Sequence, residues 1–248
     1  MAGRGSRFAD AGYELPKPLI QIHGQPMIRY VISNLRPRQP YRFIFMCLDE
    51  HIKKYNVDKL LKNWEPTCEI VTVDRVTEGA ACTVLLAKDL INSDESLMIA
   101  NSDQWVDVDI NAYLEKIDAQ QLDGLIMTMW ANDPKWSFVR IDQHQKIIEV
   151  VEKRVISNEA TVGIYNFKIG TDFVAAAEEM IEKDLRVNGE FYVAPVYNEL
   201  IAHGQAFGYY NIGQVNNGMY GLGVPVDLNE FIALPLSRQL AGNIQNNL

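Results

Sequence analysis

The sequence predicts an α/β fold, a three-layer arrangement around a mostly parallel sheet with an antiparallel extension. Three observations carry that expectation. In the N-terminal part, short apolar runs rich in β-branched residues alternate with stretches of helical period. After about residue 120 several strand-like runs follow one another closely. The composition, 248 residues of which 48% are apolar, with 16 Gly and 10 Pro, is that of a folded globular chain and excludes disorder, collagen and coiled coil.

Taken in order, Arg42 to Leu48, Cys68 to Asp74 and Ser96 to Ala100 read as buried strands. Between the first two, Val57, Leu60, Leu61 and Trp64 recur at i, i+3, i+4 and i+7, so one helix face is apolar. Between the last two, Ala80, Val84, Ala87 and Ile91 form the stripe of a second helix. Strand–helix–strand alternation implies parallel pairing with both sheet faces covered. Leu122 to Trp130, Ser137 to Ile141, Lys146 to Val151 and Thr161 to Phe167 supply the antiparallel or mixed extension. A helix carrying Phe173, Ala177, Met180 and Ile181 on one face follows, and another is expected from near Glu190 to His203. No Ser/Gly/Pro-rich linker or repeat divides the chain, so residues 1–248 read as a single domain.

Charge narrows the partners. Twenty-three Lys plus Arg against 32 Asp plus Glu leave a formal charge of −9, a field that repels a phosphate polymer and argues against nucleic-acid binding. A small phosphorylated ligand held by a few local cations remains compatible with it. Cys47, Cys68 and Cys82 include no C-x-x-C pair and read as free, mostly buried thiols in a reducing compartment. No apolar run approaches the roughly 20 residues of a membrane helix, and MAGRGSRF lacks the apolar core of a secretory signal. The expectation is a cytoplasmic protein without a membrane partner, with a homo-oligomer left open.

The chemistry concentrates in three places. Gly3-Arg4-Gly5-Ser6-Arg7 lets backbone N–H groups approach phosphate oxygens, and Arg7 with Lys17 of Leu15-Pro16-Lys17-Pro18-Leu19 adds positive charge. It is neither a dinucleotide fingerprint, whose third glycine would fall on Phe8, nor a Walker A loop, which needs Gly-Lys-Ser/Thr. Taken alone, G-x-G is also a flexible turn. Asp103 follows the apolar run Leu97 to Ala100 and so sits beyond a strand's carboxyl end, where open α/β sheets bind ligands; the bland alternative is a turn cap. Thr77-Glu78-Gly79-Ala80-Ala81 reads equally as a small-residue platform for a flat ring and as a helix start capped by Thr77. Asp107-Val108-Asp109 spells a D-x-D metal motif or a solvent-facing turn. His23, His51, His144 and His203 show no metal spacing, and Trp136 reads as a core aromatic.

GRGSRF followed by LPKPLI and GQPMI resembles the opening of the sugar-nucleotide pyrophosphorylases, nucleotidyltransferases of the glycosyltransferase-A-like fold with its Rossmann-like sheet, and the likeness runs along nearly the whole chain. The resemblance implies that Ala2, Gly3, Gly5, Ser6 and Arg7 wrap a nucleoside triphosphate, that Lys17 contacts its phosphates, and that Asp103 binds Mg²⁺. Arg7, Lys17 and Asp103 would then be the catalytic set. It further implies Gly79 and Ala80 beneath the nucleobase, and Lys153, Gly163 and Glu190 around a sugar 1-phosphate or similar phosphorylated metabolite.

Two departures qualify the resemblance. Gly221 stands where the family's usual second metal ligand, an aspartate, is expected, and Asp227 is left to cap the helix after Pro225. In the family an apolar strand precedes the glycine loop, whereas this sequence begins at Met1 inside the loop motif; a missing central strand would orphan the sheet's centre, so either a short strand upstream of Met1 or another segment is expected to fill the gap. Two other readings remain: a metal-dependent glycosyltransferase of related fold built on Asp107 and Asp109, and a catalytically degenerate nucleotide-sugar-binding regulatory protein.

Overall fold

The computed structural model describes residues 1–3 and 5–246, so Arg4 lies outside the described residues. The chain opens with α1 (Ser6–Asp10), a single 3₁₀ turn over Lys17–Leu19, and a two-stranded ladder of β1 (Gln21–Ile22) and β2 (Gln25–Pro26). α2 (Met27–Leu35), β3 (Ile44–Leu48), α3 (Asp49–Tyr55), α4 (Val57–Trp64) and β4 (Glu69–Val73) follow. Next come α5 (Ala80–Leu85), α6 (Lys88–Ile91), β5 (Leu97–Ala100), β6 (Gln104–Val106) and α7 (Ile110–Ala119). The extension is β7 (Gly124–Trp130), β8 (Ser137–Ile141), β9 (Ile147–Glu152) and β10 (Glu159–Phe167). The chain closes with α8 (Gly170–Glu182), α9 (Val196–Ala202), β11 (Phe207–Val215), β12 (Gly218–Gly221), α10 (Pro225–Ala233) and α11 (Pro235–Asn246).

Strand β7 shows why the fold has three layers. Its residues are buried on both faces: Leu125, Met127 and Met129 enter one apolar cluster with Val31, Leu61 and Tyr113, while Ile126 enters another with Phe167, Phe173 and Tyr197. Each such side chain contributes about 1.5 to 3 kcal/mol when fully buried, so covering both faces is what makes a strand of mainly apolar residues stable. A third cluster joins Phe8, Tyr30, Trp105 and Phe231 and holds the chain's two ends together.

The sheet is mixed. In the eight-stranded sheet, parallel ladders join β7 to β11 and β11 to β12, and antiparallel ladders join β10 to β5, β7 and β8, β8 to β9, β9 to β11, and β12 to β6, while β3 and β4 form a separate parallel pair. The parallel share is smaller than the early alternation suggests, because β5 finds its partner in the returning strand β10 rather than in β3. The expected helix over Ala80 to Ile91 is broken into α5 and α6 at Leu86 and Ala87, where the last turn closes on Thr83 and Val84 carbonyls. The helix expected from Glu190 begins only at Val196, because residues 187–191 form a turn bonded to the loop ahead of α5.

Among the described residues, β3 pairs with β4 alone and β5 with β10 alone, so each keeps one free edge. Both free edges border a cavity of about 750 Å³ lined by Met1, Val31, Phe45, Met98 and Ile99, among others. Asn166 lies on its wall, 2% exposed, with its Oδ1 buried and unpartnered. An additional strand in this place would find two partners. Cys47 and Cys68 are buried and Cys82 is half-buried, all three unpaired as thiols. No helix among the described residues is long and apolar enough to cross a membrane.

Candidate active site

The glycine loop is shaped by two constraints at Gly5. Its φ of 63° is left-handed, and a Cβ there would come within 3.3 Å of the Lys17 Cβ. A glycine therefore lets the loop turn and lets Lys17 pass against it. α1 then starts immediately and is anchored by Phe8, which is 1% exposed and packs edge-on against Tyr13 at 5.1 Å. Ala2 is half-buried, while Gly3, Ser6 and Arg7 are exposed on the open side of the loop.

Lys17 opens the 3₁₀ turn between two prolines, with Pro18 and Leu19 buried beneath it. Pro16 is extended, as a residue before the turn must be, and Pro18 at the second helical position loses no needed N–H. The turn is thus rigid and aims the ammonium of Lys17 at Asp103, with which it forms an ion pair and hydrogen bond. Asp103 sits just past the end of β5, and its backbone carbonyl accepts the Leu222 N–H at 2.8 Å. A Cβ on Gly223 would stand 2.6 Å from the Asp103 carboxylate and 3.7 Å from the Lys17 Nζ. Three distant segments meet here: the Pro-Lys turn, the end of β5 and the chain after β12.

The second cluster lies between β4 and α5. Gly79 has φ 137°, and a Cβ on it would collide with the Phe191 backbone at 2.3 Å. The Phe191 N–H donates to the Glu78 carbonyl at 2.8 Å, and the Ala81 N–H donates to the Phe191 carbonyl at 3.0 Å. Small residues are needed here for close backbone docking, and Ala80 stays exposed above them. Thr77 does not cap α5. The N-cap is Gly79, and the Thr77 hydroxyl instead donates to the Gly79 carbonyl and pairs with Thr83 at 2.6 Å.

At the third cluster Lys153 has a left-handed φ of 54°, held by its N–H donating to the Trp136 carbonyl at 3.1 Å. Its ammonium hydrogen-bonds the Tyr192 hydroxyl and lies 4.6 Å from that ring's centroid. The contact raises the Lys153 pKa. Beneath it Glu152 is 8% exposed and accepts from the Ser137 hydroxyl; burial pushes its carboxyl pKa up. Glu190 is exposed on the same turn as Tyr192. Gly163 makes the bulge in β10, with φ 79°, where a Cβ would strike the Asn101 amide at 2.1 Å.

Other candidates are placed elsewhere. Asp109 is the N-cap of α7, accepting from the Asn111 N–H at 2.9 Å, and the hydrogen bonds from Asn111 lower its pKa. Asp107 is exposed at the same turn, so the D-x-D segment serves the helix start. Asp227 does not cap α10, whose N-cap is Val224 with no side-chain cap bond. Its carboxylate instead lies over Gly221, 3.0 Å from where a Cβ would be. Trp136 is half-buried, with the Lys135 ammonium 5.1 Å from its ring. Sequence reasoning overlooked Tyr192, Ser137 and Gly223. Tyr192 sits two residues after Glu190, and that adjacency was its one signal.

Among the described residues no three His, Cys, Asp or Glu side chains gather as a metal cage. Asp103 stands at the junction with Lys17. A single carboxylate suits Mg²⁺ carried on substrate phosphates, which takes one or two protein oxygens and completes its octahedron with phosphate and water.

A family model described as nucleotidyl transferase matches residues 1–210. The crystal structure of the nucleoside-diphosphate-sugar pyrophosphorylase from Vibrio cholerae RC9 superposes with a TM-score of 0.80 at 28% identity, covering 94% of this chain and 98% of that one. The inositol-1-phosphate CTP transferase from T. maritima shares the fold with a TM-score of 0.74 at 15% identity, over 98% of this chain and 93% of that one. Bifunctional protein GlmU of Methanocaldococcus jannaschii is 24% identical over 254 residues, all of this chain and 56% of that protein. The chain thus spans little more than half the length of such curated relatives.

Proposed function

The chain belongs to the nucleotidyl transferase family, and from that premise we propose that it joins a nucleoside triphosphate to a small phosphorylated metabolite, a sugar 1-phosphate, with release of pyrophosphate. The observation that carries this reading is the Lys17–Asp103 pair, a cation and a carboxylate held together at the glycine loop. An acceptor phosphate oxygen attacks the α-phosphorus, the bond from that phosphorus to the bridging oxygen breaks, and pyrophosphate leaves with the electron pair. No covalent enzyme intermediate forms. Because an anion attacks an anion, catalysis rests on positioning and on charge placed in advance rather than on a side-chain nucleophile.

Each residue then has a task. The loop at Gly3 and Gly5 offers backbone N–H groups to the triphosphate. Arg7 and Lys17 counter the charge that grows on departing pyrophosphate, and Gly79 with Ala80 receives the base. Lys153 holds the acceptor's phosphate at the opposite end. Asp103 is the residue that would hold Mg²⁺. When bound, that ion would supply positive charge to the reacting phosphates. The glycosyltransferase alternative needs Asp107 and Asp109 free for metal, and Asp109 is already engaged as a helix cap. Incubating the protein with each nucleoside triphosphate and a panel of sugar 1-phosphates, and following pyrophosphate, tests the proposal.

A further inference from the structure

Lys153 occupies a position that few lysines adopt. Its left-handed backbone is sterically costly for a side chain with a Cβ, and the chain keeps it there through the Trp136 carbonyl. A four-carbon flexible stem would ordinarily sample many rotamers in solvent. Here its end is fixed by the Tyr192 hydroxyl, with the ammonium 4.6 Å from the centroid of the same ring, beyond its hydroxyl edge. The negative groups that would otherwise attract it are close, since Glu152 and Glu190 both act on its ammonium. The buried Glu152 is already bonded to Ser137, so the phenol keeps Lys153 outward without adding a third carboxylate.

The segment that presents Tyr192 is itself tied to the other substrate's loop. Phe191, one residue earlier, exchanges backbone hydrogen bonds with Glu78 and Ala81 on either side of Gly79. Arg186 reinforces the same turn, stacking over the Phe191 ring at 4.1 Å while pairing with Glu78 at 2.6 Å. One dipeptide therefore touches the loop of Gly79 through its first residue and the acceptor lysine through its second.

We propose that Tyr192 is the positioning residue of the acceptor end: its hydroxyl holds the Lys153 ammonium ready for a phosphate dianion, on a turn that is hydrogen-bonded to the nucleotide loop. This rests on the reading of Lys153 as the acceptor-phosphate contact. Tyr192 acts through Lys153 and needs no contact with the reacting atoms. Removing the hydroxyl leaves the cation in place but returns its freedom, so acceptor binding weakens while binding of the triphosphate does not.

The test follows the Lys153 ε-methylene signal by NMR in protein carrying ¹³C-labelled lysine, assigned with Lys153→Arg, during titration with inorganic phosphate. In the wild type the signal shifts saturably. In Tyr192→Phe it starts closer to that of a free lysine, and half-saturation requires about tenfold more phosphate, a loss of about 1.4 kcal/mol. With an active substrate pair, Tyr192→Phe raises the acceptor KM by a similar factor and leaves the KM for the triphosphate unchanged. A Tyr192→Phe titration matching the wild type overturns the inference, as does a wild-type Lys153 signal that ignores phosphate. If Lys153 responds as described but no pair yields pyrophosphate, the positioning role stands and the proposed reaction fails.

Discussion

Lys17 and Asp103, 86 residues apart in sequence, form an ion pair at the junction of the glycine loop, the end of β5 and the segment after β12. Their side chains are 22% and 28% exposed, so the pair is open enough for a ligand to enter and shielded enough for its field to matter. A pair this exposed contributes at most about 1 kcal/mol to folding. Its value therefore lies in what it does to a bound triphosphate.

Lys17→Ala accordingly lowers turnover far more than stability. Losing one preorganised charge contact costs about 3 kcal/mol of barrier, on the order of a hundredfold in kcat. The melting temperature moves by no more than about 4 °C, the equivalent of 1 kcal/mol for a chain of this size. Near-normal kcat at saturating substrates removes Lys17 from the mechanism.

Gly223→Ala separates geometry from charge. Gly223 does not have a left-handed backbone, so alanine is tolerated there, but its Cβ would stand 2.6 Å from the Asp103 carboxylate and must push it aside. A displacement of about 1 Å in a reacting constellation costs on the order of a hundredfold. Thermal melting and kcat measured together check this. The expected variant is stable and slow, and a fast one shows that the carboxylate's position is unimportant.

Burial of Glu152 sets a pH dependence of stability. Its folded-state pKa lies above its ordinary value of 4.5, because desolvation outweighs the Ser137 hydrogen bond. The native state then holds this proton more tightly than the unfolded chain does. The resulting stabilisation is fully present below about pH 4.5 and is lost as pH rises through the raised pKa. Melting curves across that window are expected to fall less steeply with rising pH in Glu152→Gln than in the wild type. Parallel curves contradict the assignment.

The free edges of β3 and β5 lead to a prediction about the sheet. Each buried backbone group without a partner costs about 1 to 3 kcal/mol, a large share of a domain's roughly 5 to 15 kcal/mol. An apolar extension of about six residues fused ahead of Met1 is expected to enter the cavity between them, satisfy Asn166, and raise both melting temperature and activity. An extended chain no more stable or active than residues 1–248 contradicts the role given to the slot between β3 and β5.

Much of this architecture was legible in the sequence, and the exceptions have physical causes. Strands such as β3 and β7 announced themselves because covering both faces favours near-continuous apolar runs. The pairing of β5 with β10 was not legible, since a strand's partner depends on tertiary contact rather than on its own pattern. Of the stripe from Ala80 to Ile91, Val84, Ala87 and Ile91 turn inward while Ala80 is exposed, and Leu86 and Ala87 break the helix without a Gly or Pro to mark the place. Motif spacing singled out Gly5, Lys17 and Asp103, which the fold brings together. It could not locate Gly223, whose relevance is only its lack of a Cβ beside a carboxylate from another segment. Asp109 read either as part of a metal motif or as a turn residue, because a cap and a ligand use the same residue type.

The most direct measurement is ³¹P NMR of the protein with Mg²⁺, a nucleoside triphosphate and sugar 1-phosphates, in the wild type and in Asp103→Asn and Asp109→Asn. The account predicts that for one pair the triphosphate signals give way to inorganic pyrophosphate and a new nucleoside diphosphate sugar. It predicts that Asp103→Asn abolishes this conversion while melting near the wild-type temperature, and that Asp109→Asn retains it. Release of free nucleoside diphosphate from a sugar nucleotide, with activity lost in Asp109→Asn and kept in Asp103→Asn, would contradict it.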